Sequence, residues 1–229
     1  MLAKPKPNRG RKFEQVCNGA RDVFLRDGYS GASVDDIART AGVSKATLYS
    51  YFPEKGEMYR EVLMDEIARV ATQNPIRISP EASADEALPM MTRQIAAWLV
   101  SGPALQIHRS SVAEAARFPE VSRHYYTTVT AQLREVVQGH LDRWVAAGEL
   151  SIEDTDLAAD QLIRLSGALL HERALLTCTP GAREAAIRQI SDSAARLFIL
   201  AHRDRDSLPI SSARQDGARR DKPSRAVGQ

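Results

Sequence analysis

At 229 residues, with 43% apolar side chains and a net charge of +2, the chain is long enough to bury a core and close to neutral overall. It has no apolar run near the ~20 residues needed to span a bilayer, and its basic N-terminus lacks an apolar signal core, so a cytoplasmic protein is expected. Charge is unevenly placed: residues 1–60 hold eleven Lys and Arg against seven Asp and Glu, residues 61–200 hold thirteen against eighteen, and residues 201–229 hold seven against four. A basic N-terminal module on an acidic body suits a reader of DNA.

Residues 1–10 mix Pro5, Pro7 and Gly10 with Lys4, Lys6 and Arg9, and are expected to form a flexible basic arm that either reaches phosphates or stays solvated. From Arg11 to Asp27, apolar residues recur at three- and four-residue steps (Phe13, Val16, Cys17, Ala20, Val23, Phe24), which predicts a helix ended by Gly28. Cys17 then belongs to a core. Cys178 lies far from it and neither has a metal-spaced partner, so both are expected reduced.

The stretch Ser33–Phe52, SVDDIARTAGVSKATLYSYF, predicts two short helices joined by a tight turn. Ser33 caps the first, with Asp36 three residues on, and Val34, Ile37, Ala38 and Ala41 form its apolar face. Gly42 supplies a left-handed stop. Ser44 caps the second helix with Thr47 at its third position, while Val43 and Leu48 form a staple across the cap. Leu48 and Phe52 point inward, which leaves Lys45, Ala46, Thr47, Tyr49 and Tyr51 facing away. Such a unit places its second helix in a major groove.

The run TSVDDIAxxAGVSKxTLYxYFxxK, present here as Ala32–Lys55 with Ala32 where threonine is common, resembles the TetR family of bacterial transcriptional regulators. The resemblance implies base contacts by Lys45, Ala46 and Tyr49, with Tyr49 alternatively lying along the backbone. Lysine donates to guanine and a small methyl meets thymine. It also implies DNA contact around the cap residue Ser44, with Ser33, Thr47, Tyr51 and Lys55 on phosphates. Those contacts fix register without reading sequence.

Pro53 suits the first turn of a fourth helix running toward Gln73, with Met58, Val62, Leu63, Ile67 and Val70 inward. The expected architecture is all-α, with a three-helix helix-turn-helix domain at 11–56 followed by a larger helical bundle at 57–204 for effector binding and dimerisation. After the loop 74–83, helices are expected near 84–100, 103–117, 119–147, 152–177 and 180–203, with Gly148 closing the long middle one and Thr179, Pro180 and Gly181 separating the last two. The segment VAEAARFPEVSRHYY (112–126) and the later GEL and LAADQL stretches resemble AefR-type members of the same family. Residues 205–229 lose periodicity, as a disordered tail does.

Walker, HExxH and dinucleotide spacings are absent, as is a complete nucleophile elbow, and the five histidines have no metal-binding interval. No enzymatic activity, cofactor or metal is expected. For dimerisation, Leu162, Leu165, Leu169 and Leu176 are expected to meet Ile187, Ile190, Ala194, Leu197 and Phe198, although the same stripe could be monomer core. A homodimer would read a roughly palindromic double-stranded operator. For an effector pocket the candidates are Met91, Ile95, Trp98, Phe118, Tyr125, Tyr126 and Trp144, with His108 or Arg109 orienting a polar end. A lipophilic effector that favours a DNA-free arrangement would make the protein a releasable repressor. The rival readings are a ligand-independent DNA-binding dimer and a helical carrier of hydrophobic ligands without DNA binding.

Overall fold

The computed structural model of the protein describes residues 10–177 and 181–203. The arm before Gly10, Cys178, the Thr179–Pro180 break and the tail from residue 204 lie outside them. The described chain is all-helical, with a lone β-bridge between Leu150 and Arg203. Among the described residues no helix is long and apolar enough to cross a membrane.

The first helix, α1 (Arg11–Gly31), buries Phe13, Val16, Cys17, Ala20, Val23 and Phe24, the face set by their spacing. Gly28 breaks it with φ 71° and ψ 176°, and a last turn closes where the Ala32 N–H donates to the Gly28 carbonyl at 3.1 Å. Next come α2 (Val34–Ala41), α3 (Lys45–Tyr51) and α4 (Lys55–Ala71). At Gly19 an added Cβ would lie 2.6 Å from the backbone nitrogen of Ala41, so α1 and α2 touch backbone to side-chainless backbone. Pro53 corrects one expectation. Glu54 caps α4, which places the proline ahead of the helix rather than in its first turn.

Helix α4 buries Met58, Val62, Leu63, Ile67 and Val70 as expected, and adds Tyr59 and Glu66. The buried Glu66 carboxylate accepts from Arg69 Nε at 2.8 Å and sits 3.3 Å from Arg21 Nε on α1. Two cations from two helices offset the cost of burying that charge.

The second half begins with α5 (Ala84–Leu99), opened by a capping box between Ser83 and Glu86. Then follow α6 (Gly102–Ala113), α7 (Pro119–Tyr125), a π-helical segment at Tyr126–Thr130, and α8 (Ala131–Ala146). Helix α6 stops four residues short of the expected end, and the long 119–147 helix carries a π turn. Gly148, at φ 72°, closes it. The single helix expected over 152–177 is two, α9 (Thr155–Gly167) and α10 (Leu170–Leu176), because Leu169 adopts φ 61°. Asp154 caps α9 through the Leu157 N–H at 2.9 Å. The last helix, α11 (Glu184–His202), packs on α5 and α9.

Two cores result. The core of α1–α4 continues without a break into Ile107, Phe118, Val121 and Val129 of the second half. Helices α5, α8, α9 and α11 enclose the other around Met91, Ile95, Leu141, Trp144, Leu162 and Phe198. Phe118 packs between the halves: its ring centroid lies 4.8 Å from that of Tyr29 at the end of α1 and 4.6 Å from that of Tyr59 on α4.

Candidate nucleic-acid interface and ligand cavity

The turn between α2 and α3 is built from local bonds. The Ser33 hydroxyl accepts from the Asp36 N–H at 3.0 Å and donates to the Asp36 carboxylate at 2.7 Å. At the other end of α2, Gly42 takes φ 65° and ψ 34°, its N–H reaches the Arg39 carbonyl, and the Val43 N–H reaches the Ala38 carbonyl at 3.0 Å. Those two bonds satisfy carbonyls that would otherwise end unpaired. Ser44 then accepts from the Thr47 N–H at 3.1 Å, and the two hydroxyls lie 2.9 Å apart. Leu48 is wholly buried and Phe52 packs 5.6 Å from Phe13, fixing the rotation of α3.

That rotation leaves Lys45, Ala46 and Tyr49 exposed, with Thr47 half-buried. Lys45 pairs with Asp35 of α2, and the hydrogen bond to that carboxylate raises the ammonium pKa. Tyr51 is partly buried, edge-on to Phe13 at 5.6 Å. The Lys55 ammonium donates to the Tyr29 and Ala32 carbonyls at 2.8 and 3.0 Å and lies 4.4 Å over the Tyr29 ring. Those bonds tie the start of α4 to the chain entering α2, and an ammonium has a third N–H. Ser33, Ser44 and Lys55 thus serve the local architecture.

The second half contains a cavity of about 390 Å³ among α5 to α10. Trp98, Leu99, Leu133 and Ile163 give it apolar walls. His108 Nδ1 lies 3.1 Å from the Tyr125 hydroxyl, and the His171 ring stands edge-on to His108 with centroids 5.0 Å apart. Burial, then the neighbouring His171 and Arg164, lowers the His108 pKa to about 4, and burial raises Tyr125 to about 12. His171 is lowered too, by burial and Arg164. Asp160, Arg164 and Glu172 complete the charged part of the lining.

Of the expected effector residues, Trp98, His108 and Tyr125 come together here. The others do not. Met91, Ile95 and Trp144 are fully buried in the bundle core, where the Trp144 indole N–H donates to the Ala82 carbonyl at 3.0 Å. Phe118 fills the joint between halves, and Tyr126 is mostly exposed beside Arg134 and Asp156. His171, Arg164 and Gly167 had no local sequence signal, since the chain brings His171 to His108 only by folding.

The expected dimer stripe divides in two. Leu162, Ala194 and Phe198 point into the protomer core and are unavailable to a partner, whereas Leu165, Leu169 and Leu197 are exposed. Ile187 and Ile190 are half-buried against Val100, Leu105, Leu170 and Ala174. Leu176 and Leu200 add to the exposed apolar surface, at 77% and 79%.

Two family profiles match the chain: "Bacterial regulatory proteins, tetR family" over residues 17–62 and "AefR-like transcriptional repressor, C-terminal domain" over residues 86–204. Over 55 residues the chain is 44% identical to the HTH-type transcriptional activator FasR of Mycolicibacterium smegmatis, covering 24% of this chain and 25% of that protein. It therefore spans about a quarter of that relative's length. The structure of the "Flavonoid-responsive Regulator FrrA" superposes with a TM-score of 0.65 at 29% identity, covering 86% of this chain and 99% of that one. A TetR-family regulator from Mesorhizobium loti, at 24% identity and TM-score 0.66 over 85% and 98% of the two chains, shares the fold.

Proposed function

The chain belongs to the TetR family of bacterial transcriptional regulators, and from that premise we propose that it is a cytoplasmic, dimeric repressor released from a palindromic operator by a small lipophilic effector. The observation that carries the DNA-reading part is α3 itself: capped by Ser44, anchored by Leu48, and rotated so that Lys45, Ala46 and Tyr49 stand outward together. In this reading Lys45, Ala46 and Tyr49 meet base edges, while Ser33, Ser44, Thr47, Tyr51 and Lys55 hold phosphates through hydroxyl or ammonium donors. The exposed leucines of α9 to α11 support a partner protomer, Leu165, Leu169 and Leu197 among them. Two-fold pairing then sets two α3 helices about one DNA turn apart.

The effector occupies the cavity at Trp98. His108 lies on α6, and the turn leaving α6 delivers Phe118 against Tyr29 and Tyr59. A ligand that shifts α6 therefore presses on α4, whose Lys55 is bonded to the chain entering α2. Release requires that the ligand bind the DNA-free arrangement more tightly. The structural likeness to a flavonoid-responsive regulator is consistent with a small-molecule input.

A gel-shift titration against the DNA upstream of the protein's own gene, with scrambled competitor at two salt concentrations, tests this reading. Specific retardation at two protomers per site, weakening steeply with salt, is expected. No specific retardation there, together with no bound sequence recovered in a genome-wide binding selection, would leave a helical ligand carrier without DNA binding as the better account.

A further inference from the structure

The cavity has two kinds of lining. Trp98, Leu99, Leu133 and Ile163 are apolar, while His108, Tyr125 and His171 form a connected polar cluster. In one tautomer the Tyr125 hydroxyl donates to His108 Nδ1, and Nε2 keeps its proton as a donor. In the other, Nδ1–H donates to Tyr125 and Nε2 accepts. Either way the cluster presents neutral donors and acceptors. Two imidazoles whose centroids are 5.0 Å apart in a partly buried site disfavour positive charge on both.

The charged groups around this cluster disfavour an anionic ligand. Arg164 is paired with Asp160, Nε to Oδ2 at 3.1 Å, and Glu172 contributes a second carboxylate to the lining. A carboxylate or phosphate entering here would lose water and meet a guanidinium already bonded to Asp160 through Nε and Nη2, with the Glu172 carboxylate also in the lining. The Tyr125 hydroxyl and His108 Nδ1 satisfy each other, so a wholly apolar ligand would leave His108 Nε2 and the His171 ring nitrogens as the polar atoms it fails to bond, a loss that a ligand hydroxyl avoids. The volume, about 390 Å³, sits at the small end of drug-sized pockets.

We propose that the cavity takes a flat, neutral, hydroxylated aromatic compound of two or three rings, packed on Trp98 with a hydroxyl on the His108–Tyr125–His171 cluster. This deepens the effector reading above and rests on its placing the ligand in this cavity. The π-helical segment Tyr126–Thr130 fits the same role, since it follows directly on Tyr125 and brings Thr130 into the lining.

The test uses the full-length protein without DNA. Trp98 borders this cavity and also a smaller one beside Val70 and Gln132, while Trp144 is fully buried elsewhere. Quenching of tryptophan fluorescence that disappears in Trp98→Phe therefore reports binding at Trp98, and its sensitivity to the His108 and Tyr125 variants below assigns it to this cavity. Four probes are titrated: a polyhydroxylated flavone, its fully O-methylated counterpart, dodecanoate and dodecanoyl-CoA. The flavone is expected to bind, O-methylation to weaken it about tenfold or more, and the two acyl compounds to bind more weakly still. His108→Phe removes both ring nitrogens, and Tyr125→Phe removes only the hydroxyl should the former not fold. Each is expected to cost the hydroxylated flavone about tenfold and its O-methylated form little. Equal affinity for the two flavones, tighter binding of either acyl compound, or no binding by any probe overturns the proposal. Operator retardation is measured separately on the same preparation. Retardation without flavone binding sinks this proposal alone, and flavone binding without retardation sinks the regulator reading alone.

Discussion

At the scale of single residues, charge placement around α3 makes a prediction of sign. Asp35 holds the Lys45 ammonium, and the carboxylate itself stands exposed at the face assigned to DNA. Asp35→Asn removes an acid from that face and frees the lysine, so DNA affinity is expected to rise severalfold with a steeper salt dependence, read by fluorescence anisotropy. His108 gives a second prediction. Its folded pKa, about 4, lies below the ordinary value of 6.5, so between these pH values the unfolded chain binds a proton that the folded one refuses. Stability is therefore full above about pH 6.5 and falls as pH drops toward 4. At ~1.4 kcal/mol per unit, discounted for partial solvent access, the loss is of order 1–2 kcal/mol. His171, Arg164 and Tyr125 surround the imidazole, and His171 and His140 are lowered as well, so all three histidines act in the same direction. Chemical denaturation of His108→Asn across pH should show a shallower slope. An unchanged slope would remove His108 from this account.

At the scale of elements, the tightest constraint is the approach of α1 to α2. Gly19→Ala would drive a methyl to 2.6 Å from the Ala41 backbone, a clash that a flexible side chain cannot relieve. The overpacking cost of ~1–3 kcal/mol exceeds the helix-propensity gain, so the melting temperature is expected to fall by several degrees. This contact was not legible in the sequence, where glycine inside a helical pattern reads only as a tolerated weakness. By contrast the caps at Ser33 and Ser44 and the left-handed Gly42 were fully legible, because each depends on residues within a turn of itself. The break at Leu169 lies at the other extreme. A leucine at φ 61° has no local cause, and periodicity ran straight through it. Likewise, spacing identified which residues turn inward but not which border a void: Met91, Ile95 and Trp144 fill the core, whereas Trp98 lines the cavity.

At the scale of the whole molecule, the two halves share one continuous core through Phe118, and the proposed coupling of effector to operator runs through it. Phe118→Leu should preserve folding while weakening the coupling, seen as flavone binding that no longer alters operator affinity by the wild-type factor. Association is the other global property. Leucine patterning indicated an apolar stripe on α9 and α11, but a stripe this wide serves the protomer core on one side and solvent on the other. Leu197→Glu changes an exposed side chain, so the protomer should fold normally, while sedimentation shows monomers and operator affinity drops at least tenfold. A variant that remains dimeric would move the interface away from α11.

The central claim is that α3 reads DNA through its outward face. Anisotropy titrations of wild type and Lys45→Glu on one operator duplex and one scrambled duplex, paired with thermal melts, test it most directly. Loss of specific affinity by more than about a hundredfold in Lys45→Glu, with melting within a few degrees of wild type, is the predicted result. Wild-type operator affinity in a folded Lys45→Glu protein would contradict it.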